Sequence, residues 1–495
     1  MNELEFARFR RSGRLMDLHA FLNQLPKGGI LHVHLTGAIP VDTILEHPNW
    51  FYVKMNTAKR TDERVPRFSI ITSREWSKMK FGTSNRKRGE PFRLYRSMTS
   101  LTSEELQELR EALVFRALVP EPGEGVPLLP FYNPNPITLP TEFERKFTRL
   151  DGIARDPKMM RFFLWKVLES LWMQNIDYAE LMVNPFDRVT PSSIEFVFGR
   201  DTEPSRELRK ALKYGTEAFE FEAAVYILRQ YINQVHAFNA HISRVHEQAG
   251  RFSVWENHPK KLEVRFLIGL KRGSVARRSR LQRAFELVNQ FQRPSGKRYR
   301  DMVVGINLIG DEFGVVGRPT DYLEWMIPLL RDYPGVHVSL HAGESAVKDG
   351  HVLDSILLGA ERIGHGLSLG QSPHTRRIAK ERGVCIETCL LSNKILGFVP
   401  DVESHPAREW IKEGMRICLN TDDPGIFDIT MTDEFYYATV AFDLSLSGIK
   451  ALALESLKSS FASETDKKRM IRNFAKRFDS FVKQYSIPLR ASDLG

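Results

Sequence analysis

The feature that most restricts this chain is a recurrence. Short apolar, often β-branched runs return along it, separated by loops and helical patterns. They fall at Gly29–Leu35, Tyr178–Val183, Leu262–Leu270, Met302–Leu308, Val336–His341, Arg362–His365, Val384–Glu387 and Arg416–Asn420. Runs that are apolar throughout predict strands buried on both faces, as in a parallel sheet covered by helices. Between them, Leu164, Val167, Leu168 and Leu171 keep helical spacing. So does a longer set, Phe221, Ala224, Val225, Leu228, Tyr231, Ile232 and Val235. Eight strands alternating with helices predict an α/β protein, a (β/α)8 TIM-type barrel rather than an open sheet.

The chain has 495 residues, room for two ordinary domains or one barrel of about 250 residues enlarged by insertions. The expectation is a single barrel domain over 1–495 with an insertion at approximately 46–145. Between the first two strands lie about 140 residues, far more than one crossover needs. A polar, basic and aromatic segment (Asn49 to Arg96) and a Pro-rich one (Pro120 to Pro140) occupy that stretch. It reads as a small subdomain or as a surface excursion. After the last strand, Asp433 to Tyr485 has helical patterning and would close the barrel's exterior.

Composition is that of a globular protein, 42% hydrophobic and 27% charged, and no run reaches the roughly 20 apolar residues of a membrane helix. The N-terminal MNELEFARFRRSGRL places charges where a signal peptide has its apolar stretch. Cysteines number three, Cys385, Cys389 and Cys418. That count gives no disulfide framework and suits a reducing compartment. The expectation is a cytoplasmic protein without membrane partners. Formal charge is +10, with basic clusters at Arg86-Lys87-Arg88 and from Lys271 to Arg283. These read as a solvated surface or as attraction toward anionic substrates. No nucleic-acid-binding motif accompanies them.

Chemistry-bearing residues gather at strand ends. The first strand ends in Leu31-His32-Val33-His34-Leu35, and residues two apart on a strand share a face. Both imidazoles therefore project into the barrel mouth where such folds keep their sites. On its own, a histidine pair is more often hydrogen-bonded than metal-bound. The fifth strand adds His341 and, three residues on, Glu344. The sixth adds His365 between two glycines, which permit close backbone approach. The eighth ends in Asn420-Thr421-Asp422-Asp423-Pro424, and adjacent carboxylates repel unless a cation or donors compensate. Asp-Asp-Pro alone could be a turn opening a helix, and His365 a satisfied core histidine. Together, four histidines, one Glu and two Asp at predicted strand ends point to a metal site. Three imidazoles and one carboxylate suit Zn2+ with a position left for water. The fourth strand, Met302–Leu308, offers no lysine, acid or histidine to bridge a second ion, so one metal per chain is expected.

With these residues in view, the sequence resembles the adenosine deaminase branch of the amidohydrolase superfamily. The ordered set PKGGILHVHLTGA, GINLIGDE, HAGE, GHG and NTDDP carries the resemblance. The PKGG lead-in and long early insertion are closer to the growth-factor-type subfamily. The resemblance implies that His32, His34, His341 and Asp422 bind zinc, which makes its water acidic. His365 would orient and deprotonate that water, with Asp422 sharing the task. Glu344, held protonated by a dry pocket, would donate to adenine N1. Asp423 would meet N7, and the Gly310 backbone N–H would meet N3. The implied partner is a small adenine nucleoside or nucleotide, and a homo-oligomer is compatible with the sequence.

One position departs from the family pattern. Familiar members carry an acid two residues after the second histidine, where it holds the ribose 5′-hydroxyl. Here that position is Thr36. A carboxylate would repel a 5′-phosphate, whereas a hydroxyl can donate to one, so AMP or dAMP stands beside adenosine and deoxyadenosine. Two further readings compete: a related barrel hydrolysing another aminopurine or an amide, and a partner-binding or signalling protein with incidental deaminase activity. Asp423 and the GDE glycine favour a purine over an amide. A scaffold has no need of Glu344.

Overall fold

A computed structural model describes residues 1–12, 14–45, 50–55, 67–72, 93–97, 101–115, 143, 146, 147, 150, 157–186, 189, 191–249, 255–272, 278–293, 298–310, 312, 318–344 and 350–485. The basic cluster at 86–88 and the Pro-rich stretch at 120–140 lie outside them.

Eight parallel strands form the barrel: β1 (Gly29–His34), β5 (Tyr178–Val183), β6 (Glu263–Lys271), β7 (Val303–Ile309), β8 (His337–Ala342), β9 (Arg362–His365), β10 (Cys385–Thr388) and β11 (Arg416–Leu419). Each predicted apolar run is one of these strands, with ends differing by a residue or two. They neighbour one another in chain order. β5 is buried at every position and β6 at all but its last, as strands covered by helices outside and side chains inside must be.

Closure between β11 and β1 rests on few bonds. Asn420 Oδ1 accepts from the N–H groups of Leu31 and His32 at 2.7 and 3.0 Å. Asp422 N–H donates to the His32 carbonyl at 3.1 Å, and the His34 N–H to the Asp422 carbonyl at 3.0 Å. The backbone seam is thus stitched through residues that also carry the candidate ligands.

Among the described residues between β1 and β5, β2 (Trp50–Met55), β3 (Arg67–Thr72) and β4 (Arg93–Ser97) form a three-stranded antiparallel sheet in the order β3-β2-β4. The helix Ser103–Leu113 follows. The returning chain packs on the loop after β11: the Phe143 and Phe427 rings stack at 5.3 Å, and Phe115 donates its N–H to the Ile426 carbonyl. The predicted helical patterns lie in the helices Pro157–Met173 and Thr216–Ala249. Helices Met431–Ala441, Leu446–Lys458 and Glu464–Gln484 cover the C-terminal side. No helix among the described residues is long and apolar enough to cross a membrane.

The N-terminal mouth of the barrel is plugged. Phe461 belongs to one apolar cluster with Met182, Leu267 and Val304, stacks on His337 at 4.4 Å and carries the Arg362 guanidinium 3.5 Å over its ring. His337 and Arg362 begin β8 and β9, so the plug sits at the strands' starts. The opposite mouth is left for chemistry. In the lead-in to β1, buried Lys27 donates to the carbonyls of Asn23, Leu25 and Gln174. That is the structural work of the PKGG lysine.

Candidate metal centre

All four expected ligands meet at the C-terminal mouth. Donor atoms of His32, His34, His341 and Asp422 lie within 4.8 Å of one another. His34 Nε2 and His341 Nε2 are 3.2 Å apart, and Asp422 Oδ1 is 3.4 Å from His32 Nε2 and 3.3 Å from His34 Nε2. Asp422 sits at φ 61° and His365 at φ 63°, left-handed conformations that non-glycine residues rarely adopt. Such strain is retained where the surroundings over-determine it. Both residues come directly off barrel strands and turn into the mouth.

Two glycines make room. A Cβ on Gly364 would stand 2.5 Å from His32 Cε1, and one on Gly37 would stand 1.7 Å from Asp423 Oδ1. Larger residues at either position would push His32 or Asp423 out of place.

Two of the three imidazoles are aimed by a partner behind them. His32 Nδ1 lies 2.7 Å from Glu387 Oε2, and His341 Nδ1 lies 2.8 Å from Asn307 Oδ1. Those acceptors call for the proton on Nδ1, which leaves Nε2 to face the centre, the arrangement of ligating histidines. Ser392 Oγ donates to Asp422 Oδ2 at 2.8 Å. The supports are themselves linked: Asn307 Nδ2 donates to Ser339 Oγ, and Ser339 Oγ to Glu387 Oε1.

The residues fit a metal ion. His32 Nε2 is buried without a hydrogen-bond partner, a costly condition unless something binds there. Burial opposes charge on His32, yet its contacts with Asp422 and Glu387 raise it to about 9. Two carboxylates on one imidazole call for positive charge between them. Burial, then the neighbouring His32, His34 and His365 rings, push His341 well below the usual imidazole range, keeping it in the neutral, coordinating form. Burial alone would raise Asp422, but its contacts with His32 and His34 hold it ionised, well below the ordinary value. Three nitrogens and one carboxylate oxygen converging on a point are the donor set of a divalent cation.

A second cluster, Glu344, His365 and Asp422, flanks the first. Glu344 Oε1 lies 3.7 Å from His365 Nε2. The Glu344 carboxyl is pushed well above the usual range by burial and by the negative charges of Asp422 and Glu312. Its backbone N–H donates to Glu312 Oε2 at 3.1 Å, and Arg272 pairs with Glu312 Oε1 at 3.0 Å. Burial lowers His365 to about 4, with Asp422 pulling the other way.

Three further residues singled out in the sequence lie on the turns that follow barrel strands. Thr36 is half-buried in the turn after β1, Asp423 is buried beside Asp422, and Gly310 follows β7 at φ 96°. Sequence reasoning missed Glu387, Asn307, Ser392, Asn393, His405, Arg272 and the role of Glu312. Part of the basic stretch from Lys271 to Arg283 is internal: Arg272 pairs with Glu312, and Arg283 with Glu220.

Fold and donor set together define a (β/α)8 barrel with a candidate metal site at its C-terminal mouth. Residues 268–477 match the adenosine deaminase family model. It is similar to adenosine deaminase 2-A of Danio rerio, 32% identical over 196 residues, which span 38% of each chain. It is equally similar to an adenosine deaminase of Vibrio cholerae, 32% identical over 178 residues, 36% of this chain and 52% of the relative. The chain thus spans about two-fifths to one-half of the curated relatives it matches. Its fold is similar to that of the Arabidopsis N6-mAMP deaminase, with a TM-score of 0.59 at 17% identity, covering 92% of this chain and 99% of the other.

Because a ligand set of this kind ties β1, β8 and the loop after β11 together, a bound metal is expected to stabilise the folded state. At 1,000-fold excess over its dissociation constant the gain is about 4 kcal/mol. Chelation should lower the thermal midpoint of the wild-type protein and leave His341→Ala nearly unmoved. Equal melting of the wild type with and without chelator would exclude a metal centre.

Proposed function

We propose that the protein hydrolyses the 6-amino group of adenosine or deoxyadenosine to ammonia and inosine or deoxyinosine. One observation carries the reading: Glu344, a carboxyl whose burial and acidic neighbours push it toward its acid form, clusters with Asp422 beside the His32, His34 and His341 donor atoms. A zinc ion in that donor set supplies, when bound, a water acidic enough to attack carbon at neutral pH.

The chain's own groups do the rest. Attack at C6 drives negative charge into the purine ring, and Glu344 relieves it by passing its proton to N1. Ionised Asp422 can take a proton from the attacking water and pass it to the 6-amino group, so that the C6–N bond breaks and ammonia leaves. Asp423, beside Gly37, meets N7, and the Gly310 backbone N–H donates to N3. The proton accepted at N1 must come from an acid, and Glu344's burial and acidic neighbours favour its protonated form.

A second reading, a 5′-monophosphate such as AMP or dAMP, is favoured by Thr36. A carboxylate there would face the phosphate with like charge, a cost of several kcal/mol (on the order of 4 kcal/mol) at short range in a partly buried site. One fold neighbour is named for a methylated AMP.

Ammonia release from adenosine, deoxyadenosine, AMP and dAMP, measured side by side with the metal-loaded protein at low substrate, separates these. We expect higher kcat/KM for the nucleosides. Faster turnover of both monophosphates would replace the first reading with the second, and no release from any adenine compound would overturn both.

A further inference from the structure

Behind His365 runs a buried chain of three polar side chains that the reaction outlined above leaves unused. It begins at a group whose role admits no ambiguity. The backbone N–H of Ala407 lies 3.1 Å from His405 Nδ1. An amide N–H only donates, so His405 Nδ1 must present its lone pair. His405 is 1% exposed, and burial, then the His365 ring, lower it to about 3. It is neutral, and its single proton is therefore on Nε2.

That Nε2 lies 3.2 Å from Asn393 Oδ1, which accepts. The amide is thereby oriented: its other end, Nδ2, lies 3.1 Å from His365 Nδ1 and can only donate. His365 Nδ1 must in turn present a lone pair. Reversing the Asn393 amide would set its N–H groups against the His405 Nε2–H. Repairing that by moving the His405 proton to Nδ1 would set it against the Ala407 N–H. Each link is fixed by the one before it, and all three side chains are fully buried, so water offers no alternative partner.

We propose that Asn393 and His405 are positioning residues that lock His365 in the tautomer with its proton on Nε2, facing the site. The inference rests on the deaminase reading for its consequence, though not for its geometry. His365 Nε2 is buried and has no hydrogen-bond partner within the chain, so this N–H is aimed at whatever occupies the cleft. With the proton already in place, neutral His365 donates a hydrogen bond toward the attacking oxygen. It does not take that oxygen's proton. The acceptor is then a carboxylate of the same cluster, Asp422. Sequence alone, which offered His365 as a base, could not see the difference, because the distinction lies in which ring nitrogen faces Asn393.

The test inverts the relay without removing a residue that touches the substrate. In Asn393→Asp, a carboxylate accepts from both neighbours, so His365 should move its proton to Nδ1 and present a bare Nε2. Long-range proton–nitrogen correlation spectra of histidine-labelled, metal-loaded protein read the tautomer directly. We expect the Nε2–H form in the wild type and the Nδ1–H form in Asn393→Asp. A loss in kcat of up to about 10,000-fold should accompany the change, the scale associated with a wrong histidine tautomer, with KM and metal content little altered. His405→Gln, whose amide can still donate to Asn393 Oδ1, should keep the Nε2–H form and most of kcat. A wild-type His365 protonated on Nδ1, an Asn393→Asp protein whose tautomer does not change, or one that inverts with kcat intact would each overturn the proposal. If the wild type deaminates nothing, the function fails while the spectra still decide the relay.

Discussion

Glu344→Gln is expected to lower kcat for ammonia release by about 1,000-fold, within the range attributed to a single general acid, while the metal stays bound. The substitution keeps the shape of the side chain and its place beside His365, and removes only the transferable proton. Metal content should hold because Glu344 is not among the four converging ligands. The same variant carries a pH signature. Burial, Asp422 and Glu312 hold the Glu344 carboxyl well above the ordinary range, so the folded protein keeps a proton that the unfolded chain has released. Stability then falls as pH rises from the ordinary carboxyl value to the raised one, since the unfolded state binds fewer protons there. Glutamine has nothing to ionise, so the variant should gain thermal stability relative to wild type as pH rises above the ordinary carboxyl value. Wild-type activity should decline over the interval in which Glu344 gives up its proton. Single-turnover ammonia release, metal analysis and melting curves across that range test these points together. A variant retaining a tenth of wild-type kcat would remove Glu344 from the chemistry.

The ligands could be found from the sequence because they obey a local rule. His32 and His34 are two apart on one strand, His341 and His365 end strands, and Asp422 follows one, so alternation and topology place them at one mouth. Their supports obey no local rule. Glu387 reaches His32 from the next strand but one around the barrel, Asn307 reaches His341 from the neighbouring strand, and His405 reaches His365 through Asn393. Which residues meet inside a closed barrel depends on register and stagger between strands far apart in sequence. The one available signal was an anomaly of composition. Glu387 ends the apolar run Val384–Glu387, and Arg362 opens another, where a charged group is costly unless paired. Those two anomalies are each other's partner. The sheet β3-β2-β4 was missed for a different reason. Trp50–Met55 has the aromatic and β-branched character of a strand, but it adjoins a long polar and basic stretch that dominates any composition-based view.

That paired anomaly predicts the largest change in stability. Arg362 lies between Glu180 and Glu387, all three at 1% exposure or less. Its Nε donates to Glu387 Oε1 at 2.5 Å, and its other nitrogens reach Glu180 and the Ser459 carbonyl. Glu180 also accepts from Tyr178 Oη and the Phe461 N–H. Arg362→Met fills much the same volume but strands two carboxylates in the barrel interior. Breaking a buried ion network by removing one partner costs about 3–5 kcal/mol, a large share of the 5–15 kcal/mol that holds a typical domain folded. Glu387→Gln should behave differently. Arg362 keeps Glu180, so the loss in stability is smaller, but His32 loses the carboxylate that aims it, and metal affinity should fall by about 10–100-fold. The two variants therefore separate folding from ligation. Acid distinguishes them further. Burial favours protonated Glu387, but Arg362 and His32 outweigh it and hold the carboxyl down to about 2. The stability this supplies is present above the ordinary carboxyl value and is lost as pH falls from there toward 2. In Arg362→Met the depressing charge is gone, so that variant should lose less on acidification, and its deficit against wild type should narrow between about pH 5 and pH 3. Denaturation midpoints at several pH values, with metal titrations alongside, measure both effects. A deficit under 1 kcal/mol at neutral pH, or one that widens in acid, would show that the buried network does not hold the barrel together.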